Sequence, residues 1–338
     1  MSEAPARGLV GRWVEKRAVE RPPIVLHLGS YAARLQQITY RQMCGDATLL
    51  ANALEGAQRL FGCDGLILPA DPTVEAEACG CQIEWREDEP AVVSHPLAGP
   101  SDSPAGADGL DLEGIEGRGR LSVVLEAAAR LAAVIGKDLA LIPAVTGPLT
   151  LAAHLRGPAF WSDLEEAPER AHSIVETAAQ VTLLVARRYL EMGFEQLVVS
   201  DPLLGRVDPA HYPAIAFALR SLWNVGEFFD ARLLLHTEID DASLIEQLGG
   251  MGAHALLLEG DACLGPVAAP AGGSKQMLGI GLPACLLESE PPDLERMVTA
   301  WRAEACPAGS LALCLTIPRS TSPEKVHALI RLWRSMDQ

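Results

Sequence analysis

The chain has 338 residues, 49% hydrophobic and 21% charged, enough apolar material for one large barrel domain or two ordinary ones. A formal net charge of −17 repels phosphate backbones and anionic lipid, so nucleic acid and membrane surfaces are poor partners. No apolar run approaches the roughly 18 residues of a membrane span. No signal peptide opens the chain and none of the 8 cysteines forms a CxxC pair, the pattern of a reduced, cytoplasmic protein.

Residues 1–22 read as an N-terminal extension in which Val10–Val19 has the pattern of a covering helix. Ile24–Leu28 and Gly65–Pro69 are the first strand-like runs, with a helical pattern over Asp46–Phe61 between them. The stretch 82–119 then breaks the alternation. Gln82–Trp85 and Ala91–Ser94 suit a hairpin, and 101–109 is a polar loop containing Gly and Pro. Such an insertion is either a lid or partner surface, or a solvated excursion. The helix Leu121–Ile135 precedes the strand Leu139–Val145, and the long Ala-rich helix Glu169–Met192 precedes Leu197–Ser200. Tyr212–Phe229 leads to Arg232–Leu235, and Ala242–Met251 to Ala255–Leu258. Met277–Gly281, the helix Asp293–Glu304, the strand Leu311–Leu315 and the helix Pro323–Met336 complete the series.

Most of these strand runs are apolar at consecutive positions, as parallel strands buried on both faces should be. Strand and helix in repeated alternation predict right-handed parallel crossovers. Eight strands in one α/β chain favour closure into a (βα)8 TIM barrel, a single domain over 1–338 with 82–119 inserted after the second strand. An open doubly wound sheet is the alternative.

In a closed barrel the active site lies at the C-terminal ends of the strands. Asp71, Asp201, His236, Glu238, Glu259 and Cys314 all fall there. Burying such groups without partners is costly, so their coincidence at one rim is informative. Each also has a plain reading. Asp71 and Asp201 stand before Pro and suit helix caps or turns, and Cys314 suits a small core residue. His236 and Glu238 are two apart on a strand and so share a side; they would meet as a rim hydrogen bond or as ligands. With Cys314 they offer one nitrogen, one oxygen and one sulfur to a tetrahedral Zn²⁺ with an open position.

These residues resemble the uroporphyrinogen decarboxylase superfamily, and within it the corrinoid-dependent branch that includes the methylcobalamin:coenzyme M methyltransferases. The similarity runs from Pro22 to Met336. It is carried by Asp64–Cys81, by Ile142–Leu155 with its Val-Thr-Gly-Pro-Leu-Thr-Leu-Ala, by Ser200-Asp-Pro, by Leu235-His-Thr-Glu, and by Cys314 with Ile317-Pro. The branch carries a His-x-Cys pair after the fifth strand and a second Cys in the eighth. His236 matches the histidine and Cys314 the late cysteine, while Glu238 replaces the middle cysteine. Glu259 matches an acidic residue that completes zinc in some relatives. The decarboxylase's arginine-rich motif is not reproduced: His27–Arg34 holds a single arginine.

The resemblance implies zinc-assisted methyl transfer between a small methylated substrate and the cobalt of cobalamin on a separate corrinoid protein. Metal ligands would be His236, Glu238 and Cys314, with Asp71, Asp201 and Glu259 positioning substrate or handling protons. An oxygen ligand in place of sulfur leaves zinc less electron-rich, which favours O-demethylation of a methoxylated compound. The chain could also pair as a homodimer. Two other readings use the same rim: a metal-independent lyase like the decarboxylase, and a non-catalytic barrel that binds a corrinoid or partner protein.

Overall fold

Runs of consecutive aliphatic residues satisfy their backbone by pairing side by side, and here they pair in parallel around a ring. The structure is a computed structural model and describes residues 6–17, 19–69, 71–86, 90–97, 110–260, 277–280, 295, 296, 299 and 311–335. Strand β1 (Ile24–His27) lies between β2 (Gly65–Ile67) and β11 (Leu311–Thr316). From β11 the ring passes through β10 (Met277–Ile280), β9 (Ala255–Glu259), β8 (Arg232–Glu238) and β7 (Gln196–Ser200) to β6 (Ala144–Thr146). On its other side β2 pairs with β5 (Ala140–Ile142).

β5 and β6 are two halves of one stave, parted by Pro143, which has no N–H to give. The stave still serves both neighbours: the Ile142 carbonyl accepts from Leu68 N at 2.9 Å and the Pro143 carbonyl from Val198 N at 2.8 Å. The sheet therefore closes, and the fold is a TIM barrel.

Alternation sends Val25, Ile67, Ile142, Val198, Leu234 and Leu257 into one interior cluster. Helix α1 (Ala6–Val14) adds Val10, Trp13 and Val14 to it. Arg7 ties this helix to the carbonyls of Gly136 and Asp138, just ahead of β5. So α1 plugs the end where the strands begin. It starts earlier and ends sooner than the expected Val10–Val19; Lys16, at φ 61, lies in the left-handed region beyond its end.

The larger helices form the outer layer. The predicted ones appear as α4 (Ala47–Phe61), α6 (Gly119–Ile135), α9 (Pro168–Glu191), α10 (Tyr212–Phe228), α11 (Ile245–Gly249) and α12 (Pro323–Ser335). Asp46 caps α4, accepting from Thr48 N at 2.7 Å and Leu49 N at 2.9 Å. Five shorter helices were not expected: α2 (Gly29–Leu35), α3 (Tyr40–Cys44), α5 (Thr73–Ala78), α7 (Pro148–Arg156) and α8 (Ala159–Glu166). In α7 the burial runs almost all round, so no polar stripe marks it as a helix.

The expected hairpin is present as β3 (Gln82–Glu84) against β4 (Val92–His95). Its Trp85 stacks on the Arg120 guanidinium, 4.8 Å from the ring centre. Most of the expected helix Asp293–Glu304 and the loop 101–109 lie outside the described residues. No described helix is long and apolar enough to cross a membrane.

Candidate active site at the barrel mouth

The inward files of the barrel change character from one end to the other. On β1, Val25 is followed two residues on by His27; on β7, Val198 by Ser200; on β8, Leu234 by His236 and then Glu238; on β9, Leu257 by Glu259. The strand period of two thus stacks a polar layer on an apolar one, and the polar layer faces the open mouth.

Four of these residues and Thr316 form a connected row. Ser200 Oγ lies 2.9 Å from His236 Nδ1. On the far side of the ring, His236 Nε2 faces Glu259 Oε2 at 3.6 Å. The Thr316 hydroxyl donates to Glu259 Oε1 at 2.6 Å, and its oxygen lies 3.3 Å from His27 Nδ1. Burial pulls His236 down, but Glu259, Glu238 and Asp201 outweigh it and its pKa is raised. Burial pushes Glu259 up, yet His236, Thr316 and His27 together bring it down to about 2. Each partner therefore favours the charged form of the other.

His236 Nε2 is buried and has no hydrogen-bond partner. Protonated, such a nitrogen is a hydrogen-bond donor; deprotonated, it offers a lone pair to a metal. With the Glu259 carboxylate it presents nitrogen and oxygen to one point, a donor pair that suits zinc. Glu238 stands apart from that point: its side chain is 41% exposed and accepts from Arg206 at 2.7 Å. Cys314 pairs with Val25 through the backbone, and its side chain lies outside the described residues. Among the described residues, no group of three His, Cys, Asp or Glu is gathered closely enough to hold a metal.

The two aspartates occupy another part of the rim and are fully engaged. Asp71 Oδ1 accepts from Thr73 N at 2.9 Å and Thr73 Oγ1 at 2.6 Å, at the start of α5. Its Oδ2 meets the Arg120 guanidinium, which also holds Glu77 and Thr73. Asp201, with no exposure, accepts from Leu149 N and Thr150 N and from Thr150 Oγ1, closing the N-terminus of α7. Burial pushes Asp201 up to about 6 against those hydrogen bonds. Gly147 makes room for it, since a Cβ there would stand 2.3 Å from the Asp201 Cβ. Buried Glu75 is held in the same way by Thr146 N and Oγ1.

Sequence reasoning missed His27, Ser200 and Thr316 as site members. One signal was available for each: counting back in steps of two from the last polar strand residue places all three inward.

The family model for uroporphyrinogen decarboxylase (URO-D) matches residues 7–336. The methylcobamide:CoM methyltransferase MtbA of Methanosarcina acetivorans is 25% identical over 211 residues, 60% of this chain and 60% of that protein. A uroporphyrinogen decarboxylase of Mycobacterium sp. (strain KMS) is 27% identical over 194 residues, 55% of this chain and 52% of that protein. The chain thus matches between half and three fifths of the length of these curated relatives. A solved methyltransferase from Methanosarcina mazei shares the fold, with a TM-score of 0.85 at 18% identity over 99% of both chains. On the match over nearly its whole length, the chain belongs to the uroporphyrinogen decarboxylase (URO-D) family.

Proposed function

We propose that this protein transfers a methyl group between a small substrate, a methoxylated compound first among candidates, and the cobalt of a separate corrinoid protein. The observation that carries the reading is the buried His236 Nε2, which makes no hydrogen bond and faces Glu259 at the barrel mouth. The likeness to methylcobamide:CoM methyltransferases supports the reaction class.

In this reading His236 and Glu259 hold zinc with Cys314, and Glu238 joins them if it leaves Arg206. Bound zinc supplies Lewis acidity, polarising the oxygen or sulfur from which the methyl departs or to which it adds. Ser200 fixes the far nitrogen of His236 and so keeps Nε2 turned toward Glu259. Thr316 keeps one Glu259 oxygen occupied and leaves the other to face His236. Asp71 and Asp201 position the loops that frame the mouth rather than touch substrate, and the hairpin β3–β4 acts as a lid.

Purified protein should carry about one zinc per chain and lose it on His236→Ala. It should also methylate free cob(I)alamin from 2-methoxyphenol, a rate that falls about 100-fold in the same variant. Full activity from zinc-free protein would overturn the metal's role. Transfer from free methylcobalamin to a thiol, with none from 2-methoxyphenol, would move the substrate class to thiols.

A further inference from the structure

The plugged end of the barrel has a gap that the mouth lacks. After Pro143, β6 is in register with β7, from Ala144 beside Val198 to Thr146 beside Ser200. Before it, β5 is paired with β2 and not with β7. Residues 139–141 and 194–196 therefore line the two sides of a cavity of about 200 Å³, together with Arg7 of α1 and Lys137. The apolar layer that includes Val198 separates this cavity from the polar row at the mouth.

Gln196 is the unusual residue on its wall. The strand period that turns Val198 and Ser200 inward turns Gln196 inward too, one layer below Val198. It is 6% exposed, and its side-chain amide makes no hydrogen bond among the described residues. Its inward neighbours Val198 and Ala140 offer an amide nothing to bond. Its Nε2 lies beside Gly11 of α1, where a Cβ would stand 3.6 Å away, and the exposure that remains opens into the cavity. Buried amides are normally bonded, so this one points to a partner from outside the chain.

The charges around the cavity have a sign. Arg7 is already held by Glu195 at 2.6 Å and by the Gly136 carbonyl. Lys137 is exposed and makes no ion pair among the described residues. One ammonium is thus left over at this spot, on a chain whose net charge is −17. The rest of the wall is apolar, from Leu139, Leu141, Met192 and Phe194.

We propose that this cavity binds a compact monocarboxylate. Its carboxylate lies between the Lys137 ammonium and the Gln196 amide N–H, and its apolar body lies against Leu139, Leu141, Met192 and Phe194. A single uncompensated cation suits a single negative charge, and an amide N–H donates to a carboxylate oxygen. The volume is below the roughly 300 Å³ at which drug-sized sites begin, which limits the body to the size of one ring. The site is independent of the methyl-transfer reading and stands whether or not that reading holds.

Titration of the full chain with benzoate, followed by calorimetry and by amide NMR shifts, tests this. One benzoate per chain should bind with a Kd below about 1 mM, and the shifts should centre on residues 139–141 and 194–196. Benzyl alcohol, with the same ring and no charge, should bind about 10-fold more weakly or worse. Lys137→Ala, at an exposed position, and Gln196→Leu should each weaken benzoate about 10-fold. Without ligand, Gln196→Leu should keep or raise the wild-type Tm, because leucine removes an unsatisfied buried amide. No benzoate binding at about 10 mM overturns the proposal, as do shifts confined to residues around His236. Equal affinity for benzyl alcohol, or full benzoate affinity in Lys137→Ala, overturns it too. A lower Tm in Gln196→Leu with benzoate affinity unchanged makes the amide structural and has the same consequence.

Discussion

The two halves of the barrel mouth bury acidic side chains for different ends. On the arc of β2 to β7, Asp71, Glu75 and Asp201 each receive donors on both oxygens, from backbone N–H groups, threonines or Arg120. On the arc of β8 to β1, Glu259 has one oxygen satisfied and the other facing a histidine whose nitrogen has no hydrogen bond. Burial alone does not mark a functional carboxylate; incomplete satisfaction does. The first arc anchors loops and helices, and the second keeps one Glu259 oxygen facing His236 without a hydrogen bond.

The largest test of this contrast lies in the anchored arc. Arg120→Ala strands Asp71 and Glu77 beside Trp85, and a broken buried pair costs about 3–5 kcal/mol. Urea unfolding should register that loss, and a change under about 1 kcal/mol would mean that the arc is not held as described.

Opposite pH responses sharpen the contrast next. In metal-free protein, Glu259 has its folded pKa depressed to about 2 from an ordinary 4.5. Its contribution to stability is present above 4.5 and lost as pH falls toward 2. Asp201 has its folded pKa raised to about 6 from 3.8, so the folded state holds the proton longer than the unfolded one. Stability therefore falls as pH climbs from 3.8 to 6 on its account. Each effect is on the order of 3 kcal/mol. Unfolding curves against pH should lose the acid-side dependence in Glu259→Gln and flatten between those two values in Asp201→Asn. The same slope in wild type and Asp201→Asn would contradict the burial of that carboxyl.

A smaller effect comes from the space beside Asp201. Gly147→Ala drives a methyl against its Cβ, and such overpacking costs about 1–3 kcal/mol. Thermal unfolding should show this drop, while the Ser200–His236–Glu259 row, judged by histidine NMR shifts, should hold its place.

Staves were readable in the amino-acid pattern because a parallel strand buried on both faces writes itself as an unbroken apolar run, as in Leu197–Val199 and Ala255–Leu258. The short helices escaped because burial all round erases the helical stripe, as in α7. The rim residues were readable by position, since every one lies in or just past the C-terminal part of a strand. Their partners were not. Thr150 is 51 residues before Asp201, Arg120 is 49 after Asp71, Thr316 is 57 after Glu259, and His27 is 289 before Thr316. Which carboxylate is anchored and which is left open depends on those distant donors. The pairing of His236 with Glu259, and of Glu238 with Arg206, is of the same kind.

One feature at the opposite end governs traffic through the mouth. By stopping the far end with Val10, Trp13 and Val14, α1 turns a tube into a cup. A cup has a single lip, so any small molecule that reaches His236 enters and leaves past it. A protein seated on that lip would cover the same opening.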